Sequence, residues 1–195
     1  MLHVREPGGT PVGEQIRALL LDPGRPELDP RTEMLLFAAS RAQLVAEVIR
    51  PALGRGRLVV CDRYLDASLA YQGVGRGLGV EVVRAVNAAG TDGLLPDITL
   101  LLDIEPAVGL RRAREAAGCA GRSARWAGGD RLERETLAFH ERVREGFLAG
   151  ARKEPARVRV VDARGTPDEV HRSIMRLVRE RLGAGRQATE GRPRT

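Results

Sequence analysis

The chain has 195 residues, enough for one domain of ordinary size with a buried core. Hydrophobic residues make up 43% and charged residues 30%, which excludes a disordered or fibrous protein. No apolar run approaches the roughly 18 residues of a membrane span, and the N-terminus lacks the apolar core of a secretory signal.

Two cysteines, Cys61 and Cys119, are too few for a disulfide framework, so free thiols and a cytoplasmic setting are expected. The net charge is +6, yet basic residues are interleaved with acids and aromatics are only 3%. A nucleic-acid partner is therefore not expected, and neither is a membrane. Of the 32 basic residues only Lys153 is a lysine. Most of the arginines are read as compositional bias, and a few as forks for phosphate.

In chain order, Arg5–Thr10 reads as a strand-to-helix turn, with two glycines that let backbone approach a ligand. Asp29 and Pro30 predict the start of a helix that stops near Gly54, with an inward stripe of Met34, Phe37, Leu44, Val45 and Val48. Segments 58–61, 98–102 and 158–161 read as strands covered on both faces. Each ends in an aspartate: Asp62, Asp103 and Asp162. Helices are expected over 79–89, with Gly90 as the stop, and over 106–117 and 130–152. A last helix opens on the capping box Thr166 and Glu169. The pattern is α/β, with a parallel sheet flanked by helices. One domain is expected over 1–182, with a lid at about 118–131 and a structureless tail at 183–195.

Several residues carry chemistry in this reading. Arg5 sits beside the glycines and suits a phosphate. Arg41 lies one turn beyond Phe37 on an inward face, where a charge needs a partner. The two together offer a ring to stack on and a fork for a carbonyl edge. Asp62 and Arg63 stand where a central strand ends, the usual ligand end of a parallel sheet. Asp62 resembles a carboxylate that organises Mg²⁺ around nucleotide phosphates, while Asp103 and Asp162 read as caps. Ser68, Tyr71 and Gln72 offer polar groups to a base or sugar, followed by a glycine-rich run read as a tight turn. Arg122, Arg125, Trp126 and Arg131 fall in a glycine- and arginine-rich stretch that looks like a lid.

Six motifs then occur in order: REPGGT at 5–10, LFAASRAQ at 36–43, DRY at 62–64, SLAYQG at 68–73, PDITLLLD at 96–103 and DRLE at 130–133. Together they resemble bacterial thymidylate kinase over about residues 4–182. The resemblance implies the P-loop nucleoside-monophosphate-kinase fold, and transfer of the ATP γ-phosphate to dTMP. It implies that Arg5 holds the dTMP phosphate, Phe37 stacks on thymine and Arg41 bonds its carbonyl edge. Ser68 and Gln72 face the base, and Tyr71 crowds the sugar. Arg63 bridges the phosphates and the lid arginines Arg122, Arg125 and Arg131 grip ATP. Mg²⁺ with Asp62 and a homodimer packed through 30–53 are implied as well. The family's N-terminal strand, phosphate loop and first helix have no counterpart here, since a Walker-A sequence needs a lysine that Lys153 cannot supply. A start codon assigned too far downstream is the expected cause. The absent strand would lie between those ending at Asp62 and Asp103, leaving an acceptor half without a donor half. The alternatives are an inactive dTMP-binding or dimerising remnant, and a kinase for another nucleoside monophosphate.

Overall fold

A computed structural model of the chain describes residues 1–24, 27–119 and 129–190. The elements begin with β1 (Leu2–Arg5), α1 (Pro11–Leu21) and α2 (Pro30–Leu44). A π-helical turn, Val45–Ile49, joins α2 to α3 (Arg50–Gly54), and β2 (Val59–Asp62) and α4 (Leu65–Ser68) follow. A second π-helical turn, Leu69–Gly75, continues α4 and precedes α5 (Val80–Thr91). The remainder is β3 (Thr99–Asp103), α6 (Pro106–Cys119), α7 (Leu137–Lys153), β4 (Val158–Asp162) and α8 (Pro167–Glu190). No described helix is long and apolar enough to cross a membrane.

Both strand pairs are parallel, as the apolar runs predicted. β1 lies on β2, from Leu2 opposite Val59 to Arg5 opposite Asp62. β3 lies on β4, from Thr99 opposite Val158 to Asp103 opposite Asp162. Among the described residues no ladder joins one pair to the other. The chain divides into two units, Met1–Leu95 with Pro106–Phe147, and Pro96–Glu105 with Leu148–Thr195. The expected coverage of both strand faces is corrected: Val60 is 44% and Leu102 49% exposed. In β2 coverage alternates with the two-residue strand period. Val59 and Cys61 join Leu2 and Val4 on Leu44, Val45 and Ile49, while Val60 and Asp62 face the other way.

Local chemistry sets the helix ends. Asp29 accepts from the N–H groups of Arg31 and Thr32, with Pro30 at the first helical position, as the sequence predicts. The helix reaches Gly54 through the first π turn, where Pro51 supplies no N–H to the preceding carbonyls. The tight turn expected on the glycine-rich run forms, with Gly77 N–H donating to the Val74 carbonyl at 3.1 Å and Gly77 at φ 73°, and the second π turn, not expected from the sequence, leads into it. In that π turn Gly75 lies so close to α7 that a Cβ would meet Val143 at 2.8 Å. α5 runs through Gly90 and stops at Thr91, because Asp92 takes the left-handed conformation, φ 50°. α7 starts at Leu137, not 130. Asp130 Oδ1 accepts from Leu132 and Glu133 and closes a turn, and Thr136 Oγ1 then accepts from Phe139 N–H. The capping box forms: Thr166 N–H donates to Glu169 at 2.8 Å. α8 continues to Glu190, past position 183 where a tail was expected. Asp162 caps no helix. Its carboxylate accepts from Arg164 N–H and pairs with the Arg164 guanidinium, which holds its pKa down to about 2. Asp103 contributes its backbone carbonyl, which accepts from Ala163 N–H.

The Asp29 cap gives a stability prediction. D29A should lower the unfolding free energy by about 0.5–2 kcal/mol in urea titration, and D29S should restore most of it.

Candidate functional site

The carboxyl end of β1 opens the site. Arg5 donates to both carboxylate oxygens of Glu14 on α1, at 3.0 and 3.1 Å, while Gly9 N–H donates to Glu14 at 2.8 Å. Gly9 has φ 81°, and a Cβ there would lie 2.8 Å from Leu44, so the turn requires glycine. Gly8 N–H donates to the buried Ser40 hydroxyl. Arg17, one turn along α1 from Gly13, donates to the Pro7 carbonyl at 2.9 Å. Burial pulls the Arg17 pKa down, and Arg5 and Arg63 push it the same way against Glu14 and Asp130. Three arginines therefore share one electrostatic neighbourhood.

Arg41 is 1% exposed. Its Nε donates to Glu6 at 2.7 Å and its Nη2 meets the same carboxylate oxygen at 2.6 Å. Nη1 donates to the Ser68 hydroxyl at 3.0 Å and to the Asn87 side-chain carbonyl. Tyr64 lies beneath the guanidinium, 5.5 Å from ring centroid to Cζ. Four of the five donors are thus used and one N–H on Nη2 remains. Burial pushes the Glu6 pKa up against the pull of Arg41, and the second Glu6 oxygen is buried without a partner.

Glu33 makes the second buried centre. Its carboxylate is fully buried and accepts from Gln72 at 2.8 Å, Arg76 at 3.0 Å and Arg131 at 2.6 Å. Burial raises its pKa, but these bonds outweigh burial and hold it below the ordinary value. Arg131 also donates to the Leu20 carbonyl, and Arg76 pairs with Glu135. Phe37 lies between Glu33 and Arg41 on the same face and packs on Leu20 and Leu21, with Leu132 against the cluster.

Arg63 closes β2 in the left-handed region, φ 65°, with its guanidinium 5.4 Å over the Tyr71 ring. Tyr71 packs edge-on to Phe139 and Phe147. Asp62 is exposed at the strand end. Among the described residues no group of three His, Cys, Asp or Glu side chains is gathered for a metal. A hard cation that leans on substrate phosphates and its own waters needs only one or two carboxylates, and Asp62 fits that limited part.

Of the residues singled out from sequence, Arg41 meets Ser68, Arg63 meets Tyr71, and Gln72 meets Arg131 through Glu33. Phe37 turns to α1, and Arg5 is held by Glu14. Arg122, Arg125 and Trp126 lie outside the described residues. Glu6, Glu33, Arg17, Arg76 and Asn87 were not singled out. For Glu33 a signal existed: it precedes Phe37 by four and Arg41 by eight residues, on one helix face. The others are joined only across the fold.

Residues 1–174 match the sequence profile of the family described as Thymidylate kinase. The thymidylate kinase of Syntrophotalea carbinolica is 53% identical over 172 residues, 87% of this chain and 77% of that protein. That of Deinococcus radiodurans is 52% identical over 177 residues, 91% of this chain and 81% of that protein. The crystal structure of thymidylate kinase from Ehrlichia chaffeensis superposes with a TM-score of 0.70 at 28% identity. The match covers 91% of this chain and 80% of that one.

The buried pair predicts a strong coupling. E6Q or R41M alone should cost about 3–5 kcal/mol, because each leaves an uncompensated buried group. The double variant should cost clearly less than the sum in denaturant titrations. Additive losses would mean that the two side chains do not support each other.

Proposed function

The chain belongs to the thymidylate kinase family, and from that premise we propose that it carries the acceptor side of a site moving the γ-phosphate of ATP onto dTMP, giving dTDP. The observation that carries this reading is the facing of two polar stripes. Glu33, Phe37 and Arg41 on α2 stand opposite Gln72 and Ser68 on α4 and its π turn. An aromatic ring flanked by oriented donors and acceptors suits a pyrimidine.

In this proposal Phe37 stacks on thymine and the remaining Arg41 N–H donates to its carbonyl edge. Ser68 and Gln72 face the base, and Tyr71 crowds the sugar where a ribose hydroxyl would sit. Arg5, Arg17 and Arg63 attract the dTMP phosphate. An oxygen of that phosphate attacks the γ-phosphorus of ATP, and the bond to the ADP oxygen breaks. Little covalent chemistry is asked of the protein, and alignment and charge neutralisation do most. Arg63 sits where both phosphates would meet. Arg131, with Arg122 and Arg125, is assigned to the ATP side, and Arg131 would exchange its Glu33 contact for that role. Mg²⁺, when bound with the ATP phosphates, neutralises charge on their oxygens, and Asp62 is the residue proposed to hold it. The 195 residues contain no Gly-x-x-x-x-Gly-Lys sequence, so no loop of that kind enters the proposal. A homodimer through 30–53 belongs to the same reading, supported by exposed Leu35 and Leu53 on that segment.

Titration calorimetry tests the acceptor site without requiring turnover. dTMP should bind, and R41A should weaken it by about 1.5–3 kcal/mol, the loss of a charge-assisted bond in a desolvated site. Equal affinity in R41A would remove the base-reading role. Light scattering should report twice the chain mass, and L35E should shift it toward one; a monomer at all concentrations would remove the dimer.

A further inference from the structure

A carboxamide fills the same space either way round, so its neighbours decide which end meets a ligand. Gln72 is 1% exposed and its Nε2 donates to Glu33 Oε1 at 2.8 Å. Glu33 also meets the guanidiniums of Arg76 and Arg131, at 3.0 and 2.6 Å. Two such partners keep it ionised, and an ionised carboxylate only accepts. Gln72 must therefore turn its NH₂ toward Glu33 and its carbonyl oxygen away. Among the described residues nothing donates to that oxygen. Four residues earlier on the facing stripe, Ser68 accepts from Arg41, whose last free N–H is a donor. The two stripes thus offer one donor and one acceptor.

We propose that Glu33 is a positioning residue for base selection: by fixing the Gln72 amide it makes the site demand a hydrogen on the base ring nitrogen. An imide edge, C=O beside N–H, matches the Arg41 donor and the Gln72 acceptor. A cytosine edge, NH₂ beside a bare ring nitrogen, meets like with like at both points. The inference rests on the dTMP reading above and names the group that gives it its chemical sense.

E33Q inverts the arrangement. The oxygen of the new amide stays with the two shorter contacts, Arg76 Nη2 at 3.0 Å and Arg131 Nη2 at 2.6 Å, so its NH₂ faces residue 72 and gives up only the longer Arg76 Nε contact at 3.3 Å. Gln72 must then accept from it and point its own NH₂ at the base. Binding of dTMP and 5-methyl-dCMP is measured by calorimetry on the unsubstituted chain and on E33Q. Both ligands carry the methyl group, and the clash of the 4-amino group with Arg41 is common to both proteins. The preference for dTMP should shrink by about tenfold or more, the equivalent of one hydrogen bond, with 5-methyl-dCMP binding tighter in absolute terms. General structural damage weakens both ligands together, and that result, or an unchanged ratio, overturns the role of Glu33. If the unsubstituted chain binds both ligands equally, the base-reading assignment itself fails. Should E33Q not fold, the unsubstituted chain still decides. Its preference for dTMP should narrow as pH falls toward the ring-nitrogen pKa of 5-methylcytosine, since protonation supplies the missing donor. A preference that stays constant with pH overturns the proposal.

Discussion

A guanidinium that is 1% exposed must be met by opposite charge, and Arg41 meets it in Glu6. The rest of unit 1 is arranged around that need. Glu6 follows β1, so the pair fixes the end of β1 against α2. The other donors of Arg41 reach Ser68 at the end of α4 and Asn87 on α5. One side chain thereby ties four segments. Burial raises the Glu6 pKa against the pull of Arg41, so the pair is not a large net source of stability. Its value lies in fixing one arrangement. Any shift of α2 along its axis would strand a charge.

The second centre repeats the logic two turns earlier on α2. The stripe reads carboxylate at 33, ring at 37 and guanidinium at 41. The facing segment reads hydroxyl at 68, amide at 72 and guanidinium at 76, and pairs in the opposite direction. Sliding one stripe by a turn would bring Arg41 toward Gln72 and leave Glu33 without Arg76. The register is therefore set by charge as well as by shape. The π turn over Leu69–Gly75 belongs to this register, because it alters the rotation between Ser68 and Arg76 that a plain α-helix would impose. Gly73 and Gly75 let α5 and α7 close on the widened turn: a Cβ at Gly73 would lie 3.2 Å from Val80, and one at Gly75 2.9 Å from Phe139.

Much of this was legible in the sequence where the cause is local. Asp29 with Pro30, and Thr166 with Glu169, are helix starts whose partners lie within three residues. The inward position of Arg41 followed from helical spacing beside Phe37. The partner of Arg41 did not, because Glu6 is 35 residues away and no periodicity connects them. The start of α7 was misread because Asp130 closes a turn of its own, while its apolar spacing resembles helix. Strand coverage was misread for another reason. Val60 and Leu102 belong to apolar runs, and such runs look alike whether one or both faces are packed. The proposed acceptor residues stood out in the sequence and took their roles from a resemblance, while of the two carboxylates that meet them Glu33 shared a helix face with Arg41 and Glu6 emerged only from the fold.

The arginine-rich composition separates into two populations once donors are counted. Arg111 with Glu115, Arg176 with Glu180 and Arg84 with Glu81 are exposed pairs at helical spacing. Such contacts contribute about 0.3–0.5 kcal/mol each, and lysine would serve as well. Arg41, Arg76 and Arg131 are different. Arg41 reaches three residues from one rigid plane, Arg131 divides its fork between Glu33 and the Leu20 carbonyl, and Arg76 joins Glu33 to Glu135 while lying 4.7 Å over the Phe139 ring. A lysine ammonium has no plane to stack and no fork with which to divide its donors. The geometry of the first population makes no demand for arginine over lysine. The second is set by geometry, and those three positions would demand arginine in a lysine-rich chain too.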